Sequence, residues 1–123
     1  MIITLCGSTR FKDEFLAVQR DLTLQGHIVL SVGLFAHADE EDLTVEDKIR
    51  LDNLHKEKIN MSDAIFVINK DGYIGESTYG EIDWANRMKK QVFFLEQPEE
   101  ATQPSDLDVE PAVNSEAEAG EAE

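Results

Sequence analysis

The sequence predicts an α/β fold: a small Rossmann-like (flavodoxin-like) domain of three layers, built on a four-stranded parallel sheet in the order 2-1-3-4. Three observations lead there. Short apolar runs alternate with amphipathic stretches through residues 1–95, giving β-α-β-α-β-α-β, and such alternation makes right-handed crossovers over a parallel sheet with helices on both faces. The first apolar run is continuous, as in a strand covered on both sides. The two chemically richest loops follow strands one and three, and in this strand order the sheet reverses direction between those two strands, where ligands bind.

Each element has its own reason. Ile2 to Cys6 is the first strand, and it ends in Gly7-Ser8-Thr9-Arg10. Phe11, Phe15, Val18 and Leu22 then fall on one face of a helix that Gly26 is placed to stop. His27 to Val32 reads as the second strand, followed by a loop from Gly33 to Leu43 with an acidic cluster at Asp39 to Asp42. Thr44 caps a second helix running to about Asn60, with Asp47 where a carboxylate favours a helix start. Ala64 to Asn69 is the central strand; a glycine-bearing loop follows, then a helix opening near Ser77 or Thr78 and running to about Lys90. Gln91 to Leu95 closes the sheet.

Charge divides the chain. The formal net charge is −15, and residues 96–123 hold ten acidic and no basic residues, all three prolines and no aromatic residue. Such a segment buries too little apolar surface to offset the entropy of ordering, so residues 1–95 are expected to form the domain and 96–123 a disordered acidic tail. A domain this small gains from a homo-oligomer. The acidic balance argues against nucleic acid as a partner. No run is long enough to span a bilayer, the start lacks a basic segment of the secretory kind, and the single Cys6 sits in an apolar run, which together predict a cytoplasmic protein with no membrane partner.

Candidate chemistry gathers at four places. Gly7-Ser8-Thr9-Arg10 leads from a strand into a helix N-terminus, suited to an anion: glycine admits close approach, Ser8 and Thr9 offer hydroxyls, and Arg10 offers a fork for phosphate. The same turn also reads as plain capping by Ser8 or Thr9. The loop Asp71 to Thr78, with Gly72, Gly75, Ser77 and Thr78, is longer than an ordinary strand-to-helix turn and suits the other side of a phosphate or sugar. Glu81 shares a helical face with Ala85 and Met88, so it points inward as a candidate reactive carboxylate; alternatively Thr78-Tyr79-Gly80-Glu81 is a capping box that occupies it. His55 lies between Leu51 and Ile59 on one face, either as a satisfied core histidine or as a proton donor near neutral pH. Asp63 reads as a turn cap, and Asp52 and Asp83 as solvent-facing. His27, His37 and Cys6 lack metal-site spacing, so neither metal nor cofactor is expected.

The runs "LCGSTRF" and "SDAIFVIN…GYIGESTYGEIDWA" resemble the nucleoside 2-deoxyribosyltransferase superfamily, most nearly its deoxynucleoside 5′-monophosphate N-glycosidase branch, over residues 1–95. The resemblance implies that Glu81 is the carboxylate nucleophile that attacks the sugar's anomeric carbon. It also implies that Gly7, Ser8 and Arg10 bind the 5′ end of the substrate, phosphate included. His55 stands where the family usually has an aspartate that handles the base, and Gly75 where members carry serine or aspartate; Ser77 or Thr78 then stands in for that side chain. The implied partner is a small-molecule nucleoside or nucleotide, and the implied reaction is cleavage or transfer of its N-glycosidic bond. Three other functions fit the sequence: a nucleotide-sensing module on the same scaffold, a phosphoribohydrolase of the lonely-guy kind (although the "PGG-x-GT" run of that family is missing), and an adaptor acting through the acidic tail.

Overall fold

The structure, a computed structural model, describes residues 1–98. Four strands and three helices alternate: β1 (Ile2–Gly7), α1 (Lys12–Leu24), β2 (Ile28–Leu30), α2 (Val45–Asn60), β3 (Ala64–Ile68), α3 (Glu76–Arg87) and β4 (Gln91–Phe94), with a short 3-10 turn at Lys70–Gly72. The sheet order is β2-β1-β3-β4 and every pairing is parallel. The expected architecture and strand order are both present. Residues 99–123, most of the expected tail, lie outside the described residues.

The strands alternate inward contacts to two cores. Ile3 and Leu5 of β1 pack with Phe15, Val18 and Leu22 of α1, together with Ala64 and Ile68 of β3. On the opposite face Cys6, Ile65 and Val67 pack with Ile59 of α2, Ala85 of α3 and Val92 of β4. The helix periodicity read from Phe15, Val18 and Leu22 therefore faces the sheet, as amphipathic spacing requires. Gly26 ends α1 at φ +97, and the amides of Gly26 and His27 return to the carbonyls of Thr23 and Leu22, the Schellman pattern. Thr44 caps α2 through a reciprocal capping box with Asp47, as its sequence signature indicates.

Several boundaries differ from expectation. β2 is only Ile28–Leu30, shorter than the six residues its apolar run suggests, because it lies at the sheet edge and pairs with β1 alone. The first residue of α3 is Glu76, capped by the backbone of Gly75 in an extended conformation without a side-chain hydrogen bond. Its last is Arg87, so Met88 is a half-exposed C-cap instead of a continuation of the buried face. Asp63, expected to cap its own turn, accepts instead from the amide of Ile2 at 2.8 Å, fixing the start of β1 beside that of β3.

Candidate active site at the carboxyl ends of β1 and β3

β1 and β3 run side by side to their carboxyl ends, with Cys6 opposite Val67 and Gly7 opposite Ile68. The loops that leave them meet there. Gly7 has φ +148, and a Cβ at this position would lie 2.8 Å from the carbonyl oxygen of Ile68. Its glycine identity is thus explained by the neighbouring strand, which comes too close for a side chain. Neither Ser8 nor Thr9 caps α1. The N-cap is Phe11, without a side-chain hydrogen bond, and its amide returns to the Ser8 carbonyl. The Ser8 hydroxyl accepts from the Arg10 backbone amide at 3.3 Å and from its Nε at 3.1 Å, while Thr9 Oγ1 accepts from the His37 amide.

Arg10 reaches across to the second loop. Its guanidinium lies 4.6 Å from the ring centre of Tyr73, and Phe11 meets the same ring edge-on at 6.0 Å. Tyr73 also crowds Gly75, where a Cβ would come within 3.2 Å of its hydroxyl. A side chain at position 75 would require the Tyr73 hydroxyl to give way by a few tenths of an ångström, a mild local preference for glycine here. The residues expected at a substrate's 5′ end, Gly7 at the end of β1 and Ser8 and Arg10 in the loop after it, thus sit together, and Arg10 touches Tyr73. Ser77 is exposed and Thr78 is buried in the first turn of α3, whose leading amides carry no side-chain cap. A helix N-terminus in that state favours an anion or a sugar hydroxyl.

The capping-box reading of Glu81 is overturned. Because α3 begins at Glu76, Thr78 is its third residue and Glu81 its sixth, a full turn too late to return to the cap amide. Glu81 turns inward instead. Its Oε1 is buried and has no hydrogen-bond partner among the described residues. The side chain as a whole keeps 20% exposure, an opening toward solvent. Burial pushes its carboxyl up to about 7; the nearby Cys6 thiol works against this and the charge of Asp52 adds to it.

His55 is brought to the same place from α2. It is 7% exposed, with Nε2 3.4 Å from Cys6 Sγ and 3.7 Å from Glu81 Oε1. Burial, helped by Lys58, lowers it to about 4, so the imidazole is neutral at physiological pH. Both contacts fall on one ring nitrogen. A cysteine nucleophile activated by a carboxylate-oriented histidine needs the two partners on opposite nitrogens, and burial pushes the Cys6 thiol up and away from thiolate. The cluster is not a thiol-protease triad.

Two contributors are not marked in the sequence. Cys6 has no partner at metal-site or catalytic spacing along the chain, yet its thiol lines the site, because β1, α2 and α3 converge on it. Asn69, fully buried at the end of β3, clamps the backbone of Glu96: its Nδ2 donates to the Glu96 carbonyl at 2.7 Å and its Oδ1 accepts from the Glu96 amide at 2.9 Å. The Glu96 carboxylate in turn accepts from the Asp71 amide. An asparagine at the end of a strand reads as a turn residue, and nothing local marks its distant partner.

No protein-family model and no curated protein sequence matches the chain. Among solved structures it is similar to the structure of Clostridium botulinum CMP N-glycosidase, BcmB, with a TM-score of 0.52 and 18% sequence identity, over 76% of this chain and 67% of that chain. At that identity the likeness shows a shared α/β fold.

Proposed function

We propose that this protein cleaves or transfers the N-glycosidic bond of a nucleoside or nucleoside 5′-monophosphate, with Glu81 as the attacking carboxylate. The observation that carries this reading is the buried, unpartnered Oε1 of Glu81 beside His55, at the ligand end of a parallel sheet. A buried carboxylate with one oxygen left without a hydrogen-bond partner is destabilised until it meets positive charge, and an oxocarbenium-like sugar supplies that charge in the transition state. The fold shared with the Clostridium botulinum CMP N-glycosidase supports the same reading.

In this mechanism an oxygen of Glu81 bonds to the anomeric carbon as the carbon–nitrogen bond breaks and its electron pair leaves on the base. Water, or a second base, then takes the sugar from Glu81 and regenerates the carboxylate, and the proton that this acceptor loses is taken up by the base that left. His55 is neutral, so it lies beside Glu81 without delivering the proton at neutral pH, in contrast to the proton-donor reading of its sequence position. Arg10 and the loop from Gly7 to Arg10 face a 5′-phosphate, and the uncapped amides at Ser77 and Thr78, next to Gly75, face the sugar. The exposed apolar residues Val45, Ile49 and Leu54 along α2 fit the homo-oligomer that a domain of this size favours.

Base release from ribo- and deoxyribonucleosides and their 5′-monophosphates, measured beside Glu81→Gln, tests the reading. The expected result is release from at least one monophosphate that climbs with pH through about 7 as Glu81 ionises. In the folded variant it falls by roughly 1,000-fold or more, about 4 kcal/mol of barrier. Equal release by the variant would remove Glu81 from the chemistry.

A further inference from the structure

The contacts of Cys6, His55 and Glu81 also have the donor set of a metal site. One soft sulfur, one imidazole nitrogen and one carboxylate oxygen all lie within 4.8 Å of one another, each presented by a different regular element. We propose that these three side chains form a binding site for a thiophilic divalent cation of the zinc type, and that the bound ion switches off the carboxylate.

Two of the three spacings are already close to those around a coordinated ion. Tetrahedral zinc, with metal–sulfur bonds of about 2.3 Å and metal–nitrogen bonds of about 2.0 Å, sets sulfur and nitrogen roughly 3.5 Å apart. Cys6 Sγ and His55 Nε2 stand 3.4 Å apart. The spacing of His55 Nε2 and Glu81 Oε1, 3.7 Å, exceeds the nitrogen–oxygen spacing of such a site by only a few tenths of an ångström. The orphaned Oε1 is the independent mark of a missing partner: a buried carboxylate oxygen without a donor lacks what a cation would supply. Cys6 is fully buried and His55 nearly so, whereas the Glu81 side chain keeps its opening. The arrangement is therefore three protein ligands, the carboxylate being the one that is partly open to solvent.

Ligand type sets selectivity. Thiolate and imidazole favour zinc, cobalt(II) and copper, while magnesium and calcium require oxygen ligands that this cluster lacks. On binding, the Cys6 thiol gives its proton to solvent, and so does Glu81 where it is protonated, so that thiolate, neutral imidazole and carboxylate hold the ion. Glu81 then shares its negative charge with the metal and is weakened as a nucleophile toward a sugar. The inhibitory half of this proposal rests on the nucleophile reading above; the binding half does not.

The test is cobalt(II) titration of the chelator-treated full chain, followed by zinc displacement. Cys6 is the chain's single cysteine, so any thiolate-to-cobalt charge-transfer band in the near ultraviolet reports that residue. The expected result is a band that saturates at one equivalent, disappears in Cys6→Ser, weakens at least tenfold in affinity in His55→Gln and in Glu81→Gln, is displaced by zinc and is unaffected by magnesium. If Cys6→Ser does not fold, the other two variants decide. No band at millimolar cobalt, or a band of equal affinity in His55→Gln and Glu81→Gln, overturns the site. A band accompanied by undiminished base release at saturating zinc overturns the switch. A band in a protein that releases no base from any substrate leaves the metal site standing and removes the glycosidase reading instead.

Discussion

His55 Nε2 stands 3.7 Å from Glu81 Oε1, beyond hydrogen-bonding range, and burial acts on the two residues in opposite directions. The carboxyl is pushed up to about 7 and the imidazole down to about 4. Over most of the range between those values the folded pair holds one proton, on Glu81. The unfolded chain also holds one between roughly pH 4.5 and 6.5, but on His55.

That exchange has a consequence for stability. The folded state binds the Glu81 proton more tightly than the unfolded chain, so this residue alone makes stability fall as pH rises from 4.5 to about 7. His55 binds its proton more weakly when folded, so it alone makes stability rise from about pH 4 to 6.5. In the parent chain the two slopes, each about 1.4 kcal/mol per pH unit at most, cancel over the shared window. Substitution exposes one or the other. Relative to the parent, Glu81→Gln should gain up to about 3 kcal/mol between pH 4.5 and 7, and His55→Gln should lose a similar amount between pH 4 and 6.5. Urea unfolding across that range, with a chelator present, reads both differences. Parallel curves for parent and variants would show that neither residue titrates as its burial requires.

Arg10 lies against the Tyr73 ring and uses its Nε on Ser8, which leaves its terminal amino groups for an incoming phosphate. If it holds a 5′-phosphate, Arg10→Ala should raise KM for the responsive monophosphate tenfold or more and leave the dephosphorylated nucleoside unchanged. Tyr73→Leu should raise the same KM by about fivefold, the size of a stacking contribution near 1 kcal/mol. Arg10→Lys should not restore the parent value, since an ammonium lacks both the fork and the planar stack. Equal effects on substrates with and without phosphate would place Arg10 in a purely structural role.

Gly7 is the point where the β1 backbone comes closest to β3. An alanine there would set its methyl group 2.8 Å from the Ile68 carbonyl oxygen and hold a residue at φ +148. Gly7→Ala should therefore cost about 3 kcal/mol of folding stability, since strain and steric overlap fall together on backbone that cannot step aside. Thermal and urea unfolding measure it, and a loss under about 0.5 kcal/mol, the range of a neutral surface change, would contradict the close approach.

Much of this arrangement is legible in the residues, and the remainder is hidden for identifiable reasons. Phe15, Val18 and Leu22 reveal the buried face of α1, and Thr44 with Asp47 marks the start of α2, because periodicity and capping are local signals. The two loops that meet at the site follow from strand order. The start of α3 is misplaced by its sequence because Gly75 opens the helix with backbone alone, whereas Thr78 and Glu81 carry the spacing of a cap without its position. Cys6 and His55 are 49 residues apart and belong to a strand and a helix, so no linear motif joins them. Their meeting with Glu81 depends on how two helices cover one sheet face, which is a tertiary fact.

The Asn69–Glu96 clamp is equally invisible in the sequence, and it gives the sharpest test of how the second loop is held. Asn69 uses both ends of its amide: the nitrogen donates to the Glu96 carbonyl and the oxygen accepts from the Glu96 amide. Glu96 passes the restraint on by accepting from the Asp71 amide, in the turn that leads to Tyr73. Asn69→Ala removes both hydrogen bonds at a buried position and should cost about 2 kcal/mol. Asn69→Asp keeps the size and the acceptor but sets a carboxylate oxygen against the Glu96 carbonyl in place of a donor. It should be worse than alanine at neutral pH and should recover part of the difference below about pH 4, where the introduced carboxyl is protonated and donates again. Unfolding curves for the three proteins at pH 7 and pH 4 separate these cases. An aspartate variant as stable as the parent at pH 7 would mean that the amide nitrogen of Asn69 contributes nothing to holding Glu96, and that the loop carrying Tyr73 is fixed from elsewhere.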